Sequence, residues 1–406
     1  MTRTPTVFPT HEHPDAHDDA GAGGPLAGLI VADFSRVLAG PYATQLLADM
    51  GATVIKVESP RGDETRDWAP PEHNGVSTYY LGINRNKRDI VLDLNDAEDR
   101  SAAQELARRA DVLLENFKPG GLAKFGLDYD TVSASNPAII YASITGFGSR
   151  GGANLPGYDL VVQAASGLMS LTGDPDGPGY RSGMSAFDIT TGLQALIGIL
   201  AALHHRDRTG IGQHVEVNLL STALSVMANH ASTFVTTGTV PFRMGNAHPS
   251  LFPYEPMPTG DGEIVIVAAN NGQFKRLSEA IGRPELIADP RFAETDDRNR
   301  NREELRPQLE EALSARSAAE WFEVLSAAGI ACGPINTIQG GVDLATRLGL
   351  EPVVQVGDAD QAVPMIANPI SFSRTPARYR SPPPALGQDN GLIRTWLADR
   401  DRESAL

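Results

Sequence analysis

One carboxylate, Asp188, stands in the otherwise uncharged stretch MSAFDITTG (Met184–Gly192), and no other side chain between Arg181 and Arg206 is charged at neutral pH. The run that follows, LQALIGILAAL, reads as a helix buried on most of its surface, with apolar residues recurring at Ile189, Leu193, Leu196, Ile197, Leu200 and Leu203. An acid at the mouth of such a helix has two compatible uses. Ser185-Ala-Phe-Asp188 fits a capping box, and the helix dipole favours an acid in the first turn. The same dipole would keep the carboxylate ionised in a poorly hydrated place, where it can attack an activated carbonyl. Gly157-Tyr158-Asp159 puts a second acid at a glycine-flanked helix start. The two acids make one site if the helices pack together, and two unrelated caps if they do not.

Other chemistries lack their residues. The first strand-to-helix turn, RVLAGPYATQ, has no G-x-G-x-x-G, and the chain has no G-x-x-x-x-G-K-[ST]. Ser185 lacks the second glycine of a hydrolase elbow. His204, His205 and His214 have no metal-ligand spacing, so no metal site is expected. His11, His13 and His17 belong to a polar N-terminal stretch that reads as a solvated tail. A net charge of −16 argues against nucleic acid or an anionic membrane as partner. It also requires that any anionic ligand be met by a local basic cluster. Arg85, Lys87 and Arg88 in INRNKRDIVLDL, with Lys118 and Lys124 in ENFKPGGLAKFG, are either that cluster or surface decoration. The lone cysteine, Cys332, reads as a core side chain and fits a reducing compartment. No continuous apolar run is long enough to span a bilayer, and the first residues lack the apolar core of a signal peptide, so a cytoplasmic protein is expected.

The elements that must position these residues alternate. LIVADF, ATVIKVE, RDIVLDL, DVLLENF and AIIYASITGF read as strands, with PYATQLLADM and AEDRSAAQELARRA as helices between them. Such βαβ units predict an α/β fold, Rossmann-like, with a largely parallel sheet. A change of texture near Thr236, with a hairpin in PYEPMPTGDGEIVIVAA and polar helices after it, predicts a smaller α+β domain. The expected organisation is a disordered tail over 1–24, a large domain over 25–224, the small domain over 225–325 and a return segment over 326–406.

Taken together, the ordered segments VADFSRVLAGPYATQLLADMGATVIKVESPRGD, INRNKRDIVLDL, ENFKPGGLAKFGLDYD, ITGFG, GYDLVVQAASGLMSLTG, AFDITTG, RTGIGQHVEVNLL, RMGNAHPSLFPY and GPINTIQ resemble the family III CoA-transferases, from about residue 25 to the end. The resemblance implies that Asp188 is a nucleophile, forming an aspartyl mixed anhydride with the donor acyl group and then an aspartyl-CoA thioester. It implies CoA esters as substrates, no resident cofactor, and a small carboxylic acid as acceptor. Val37, Asn116, Phe117 and Lys124 match positions that line the family's CoA site, whereas Pro156 replaces a CoA-contacting lysine of formyl-CoA transferases. RMGNAHPS, with Gly245, Asn246 and His248, stands where formyl-CoA transferases carry a glycine-rich loop, and its N–H groups are candidates for stabilising oxyanions. An interlocked homodimer is implied as well. The alternatives are an α-methylacyl-CoA racemase, which carries G-H-D where this chain has Gly157-Tyr158-Asp159, and a non-catalytic CoA-binding homologue. The texture is nearest to transferases of dicarboxylic acids, with Arg36 or Arg243 as candidates to hold a distal carboxylate.

Overall fold

The computed structural model describes residues 23–358 and 362–399, so the expected tail, with His11, His13 and His17, lies outside the described residues except for Gly23 and Gly24. Six short strands form one parallel sheet: β1 (Ile30–Asp33), β2 (Thr53–Glu58), β3 (Lys87–Val91), β4 (Val112–Glu115), β5 (Ile140–Thr145) and β6 (Gln213–Asn218). Their order is 3-2-1-4-5-6, that of a doubly wound dinucleotide fold. The central strands are buried along most of their length and mostly apolar because both faces are covered. Val31, Val112 and Leu114 point to one core with helix α1 (Ala39–Asp49), while Ala32 and Leu113 point to the other with the helix Ala97–Arg109 and the closing helix Asn390–Ala398. The order reverses between β1 and β4. The crevice beyond their carboxyl ends is where such folds bind ligands.

The run after Asp188 belongs to a helix of 24 residues, Ala186–Thr209, longer than its apolar sequence suggested. Among the described residues it is the one helix long and apolar enough to cross a membrane by length and composition. Its buried face (Gly192, Ala195, Leu196, Ile199, Ala202, Leu203) packs instead into the core shared with α1. At Gly192 a side chain is impossible without movement, since a Cβ would lie 2.5 Å from the Ala39 carbonyl oxygen.

The chain divides into two compact units. The larger holds the residues up to Leu168, Ser182–Thr237 and the segment from Glu351, and the smaller holds Met169–Arg181 and Gly238–Leu350. The division differs from the expected 225–325 at both ends. The helix Ala228–Thr237 stays with the larger unit. At the other end, Ala331–Pro334 pairs with Glu263–Val267 as the third strand of the hairpin sheet, which keeps part of the expected return segment in the smaller unit. Cys332 lies in that third strand, half-buried.

The basic run INRNKRD is neither surface decoration nor a free cationic patch. Arg85 and Lys87 are buried, and each meets an acid that is distant in sequence: Arg85 pairs with Asp49 at 2.6 Å and Lys87 with Asp33 at 3.1 Å.

Candidate active site

A cavity of about 380 Å³ opens at the switch point. Arg36–Ala39 line it from the end of β1, Asn116–Pro119 from the end of β4 and Ile144–Gly148 from the end of β5, with Leu155–Tyr158 and Asp188 completing the wall. The Asn116 side chain ties the first two segments together. It accepts from the Arg36 N–H at 3.0 Å and donates to the Arg36 carbonyl at 2.7 Å. At the rim the Arg36 guanidinium lies 5.8 Å from the Phe117 ring centroid and pairs with Glu64 at 2.9 Å, with both charges exposed. The segments around Gly146 and Gly157 touch backbone to backbone, since a Cβ on Gly157 would stand 2.4 Å from the Gly146 Cα.

The two helix entrances that carry acids do pack together, and they divide the work. Asp159 opens the helix Asp159–Ala165 and is buried. Its Oδ1 accepts from the N–H groups of Phe187 and Asp188, at 2.8 and 3.1 Å, so it caps the neighbouring helix from outside. Its Oδ2 accepts from Gln163, whose own oxygen holds the Ser182 N–H at 2.8 Å. The capping box expected of Ser185 is not formed: Ser185 makes no side-chain cap. Its side chain lies near the phenol of Tyr79 instead.

Asp188 is thereby released from capping and lines the cavity. Burial, with the Asp159 charge alongside, pushes its carboxyl up to about 7. This corrects the expectation that the dipole would hold Asp188 firmly ionised, because desolvation outweighs the helix terminus. Tyr79, which the sequence did not mark, stands outside the cavity wall yet near enough to feel the Asp188 charge. Burial, and then the Asp188 charge, push its phenol to about 12, so it stays a neutral hydroxyl beside the acid.

The other sequence-predicted residues separate. Val37, Asn116, Phe117, Arg36 and Tyr158 share the cavity with Asp188. Lys124 is exposed beside the Phe125 ring, 4.6 Å from its centroid, and does not line the cavity; Lys118, on the same basic segment, does. Gly245, Asn246, His248 and Arg243 belong to the smaller unit. There Gly245 donates to the Gly173 carbonyl at 3.0 Å, Arg243 to the Asp174 carbonyl at 3.2 Å, and the His248 ring lies 4.8 Å from that of Tyr254.

A ligand-sized cavity at the switch point, with one desolvated carboxylate in its wall, suits acyl transfer rather than dinucleotide chemistry. The family model for CoA-transferase family III matches residues 26–390, and the chain belongs to that family. It is 40% identical to the succinate–glutarate CoA-transferase of Agrobacterium fabrum, over 93% of this chain and 97% of that protein. It is 39% identical to the acetyl-CoA:oxalate CoA-transferase of Acetobacter aceti, over 92% of this chain and 96% of that protein. The structure of a CAIB/BAIF family protein from Brucella suis superposes with a TM-score of 0.83 at 41% identity, covering 92% of this chain and all of the other. The chain is thus a CoA-transferase acting on CoA esters.

Proposed function

We propose that the enzyme moves CoA between dicarboxylic acids by a covalent relay on Asp188. The carboxylate attacks the donor thioester and expels CoA thiolate, leaving an aspartyl mixed anhydride. Thiolate attacks the aspartyl carbonyl and releases the donor acid, giving an aspartyl-CoA thioester. The acceptor carboxylate attacks that thioester to form a second anhydride, and thiolate then takes the new acyl group and restores Asp188. Activation is conserved throughout, so the relay needs neither ATP nor a metal. The observation that carries this proposal is a carboxylate in the cavity wall, raised to about 7, while the adjacent acid supplies the cap. A weakly solvated carboxylate of raised basicity is the better nucleophile.

Tyr158 supports transfer over racemisation. The racemase motif has histidine at this position, and a phenol is a poorer proton shuttle than an imidazole at neutral pH. A cavity of this size takes the acyl group and part of the pantetheine arm, which leaves the nucleotide outside, toward Lys118 and then Lys124. Lys118→Ala should therefore raise the donor KM about 10-fold or more with kcat little changed, and Lys124→Ala should do so less. Steady-state kinetics at low ionic strength check this, and an unchanged KM in both variants contradicts it.

The relatives named above act on succinate, glutarate or oxalate, and Arg36 at the rim offers a charge for a distal carboxylate. Against succinyl-CoA, free succinate-like acids should be accepted far better than monocarboxylates of equal length. Arg36→Met should lose about 10- to 100-fold of that preference. Equal use of uncharged acyl groups by the wild type would sink the dicarboxylate assignment. A homodimer is supported by apolar surface that a partner would cover, including Ile197, Phe234, Val235 and Ile338, the last 89% exposed. A single half-buried cysteine suits a cytoplasmic setting.

A further inference from the structure

Lys56 and Lys87 are fully buried, and their partners Asp63 and Asp33 are buried with them. Two ion pairs sealed from water carry a desolvation cost that apolar residues of similar volume would avoid, so their presence points to a task other than stability. Both pairs converge on the short turn between β1 and α1. Asp33 accepts from the Ser35 N–H at 3.0 Å and from its hydroxyl. Lys56 donates to the Ser35 carbonyl at 3.1 Å and to Asp63 at 2.8 Å. Both Asp63 oxygens face the Val37 N–H, each at 3.3 Å.

Val37 has a φ of 70°, which a β-branched residue adopts only when its surroundings impose it. It lines the cavity directly before Leu38 and Ala39, where α1 begins without a side-chain cap. Asp63 is itself fixed. Thr65 donates to it from its N–H at 3.0 Å and its hydroxyl at 2.8 Å, and the Asp63 N–H is held by Glu58 at 2.6 Å.

We propose that Asp63 is a positioning residue for CoA-ester binding: seated on Lys56, it holds Val37 in the left-handed conformation and so sets the cavity wall that meets the donor. The proposal rests on this cavity being the donor site.

The test is calorimetric titration of CoA into the full-length wild type, Asp63→Asn, Val37→Gly and the double variant, with circular dichroism and thermal melts to confirm folding. Asp63→Asn keeps the shape and removes the charge, and should weaken CoA binding about 10-fold, with kcat at saturating donor changed much less. Glycine takes a positive φ without restraint, so in the Val37→Gly background the same substitution should cost no more than about 3-fold. An equal loss in both backgrounds, or wild-type affinity in Asp63→Asn, overturns the proposal. If Asp63→Asn is recovered unfolded, Asp63→Glu keeps a charge opposite Lys56 but displaces it by one methylene. The same weakening and the same rescue by glycine are then expected, and wild-type affinity would again be decisive against the clamp. A folded wild type that binds no CoA would overturn the donor site, and the proposal with it.

Discussion

Asp188→Asn should lose transferase turnover by several orders of magnitude and yet be the more stable protein at alkaline pH. The first effect follows from removing the proposed nucleophile while keeping its shape. The second follows from the raised pKa. Asp188 titrates near 7 in the folded chain and near 4 when unfolded. The folded state therefore holds its proton more tightly than the unfolded state. Ionising Asp188 destabilises the fold progressively from about pH 4 to pH 7, and the full cost persists above pH 7. Asparagine removes that cost. The gain at pH 8 should be about 2 kcal/mol, allowing for solvent that reaches the cavity, and at pH 4 it should vanish. Thermal melts at the two pH values check the sign. A variant less stable than wild type at pH 8 would show that Asp188 is a structural acid.

Asp159 governs the second large effect, and two substitutions separate its two roles. Asp159→Asn keeps an oxygen for the N–H groups of Phe187 and Asp188 and removes the charge that helps hold the Asp188 carboxyl up. In the proposed relay the attacking group is the ionised carboxylate, so activity in the wild type should fall as pH drops through about 7. In Asp159→Asn that limb of the kcat/KM profile should move to lower pH, by about half a unit to one unit. Asp159→Ala also leaves both N–H groups without their acceptor. It should cost about 1–3 kcal/mol of stability and, by loosening the helix start that aims Asp188, about 10- to 100-fold in kcat. An acid limb that stays in place in Asp159→Asn would remove Asp159 from the electrostatics of the site.

The alternation of strands and helices was legible because a strand buried on both faces is mostly apolar, as Val112-Leu-Leu is throughout and Ile140-Tyr-Ala-Ser-Ile is but for Ser143. The strand order was not legible, since no local pattern says that β1 lies between β2 and β4. Asp188 stood out through its charge in an uncharged stretch. Its cap did not, because the acceptor is 29 residues away and a local serine mimicked the pattern. Arg85 and Lys87 read as free charge for the same reason, with their acids 36 and 54 positions distant. Tyr79 had no local signal at all. Only the fold brings its phenol near the Asp188 charge. The Asp188 ionisation was misjudged because the sequence shows both the helix dipole and an apolar setting but not that burial outweighs the dipole.

The covalent intermediate is the most direct test of the relay. Wild-type enzyme incubated with succinyl-CoA and no acceptor, then treated with hydroxylamine, should carry a hydroxamate on the peptide containing Asp188, and Asp188→Asn should carry none. A hydroxamate mapped to Asp159, or full turnover by a folded Asp188→Asn enzyme, would contradict it.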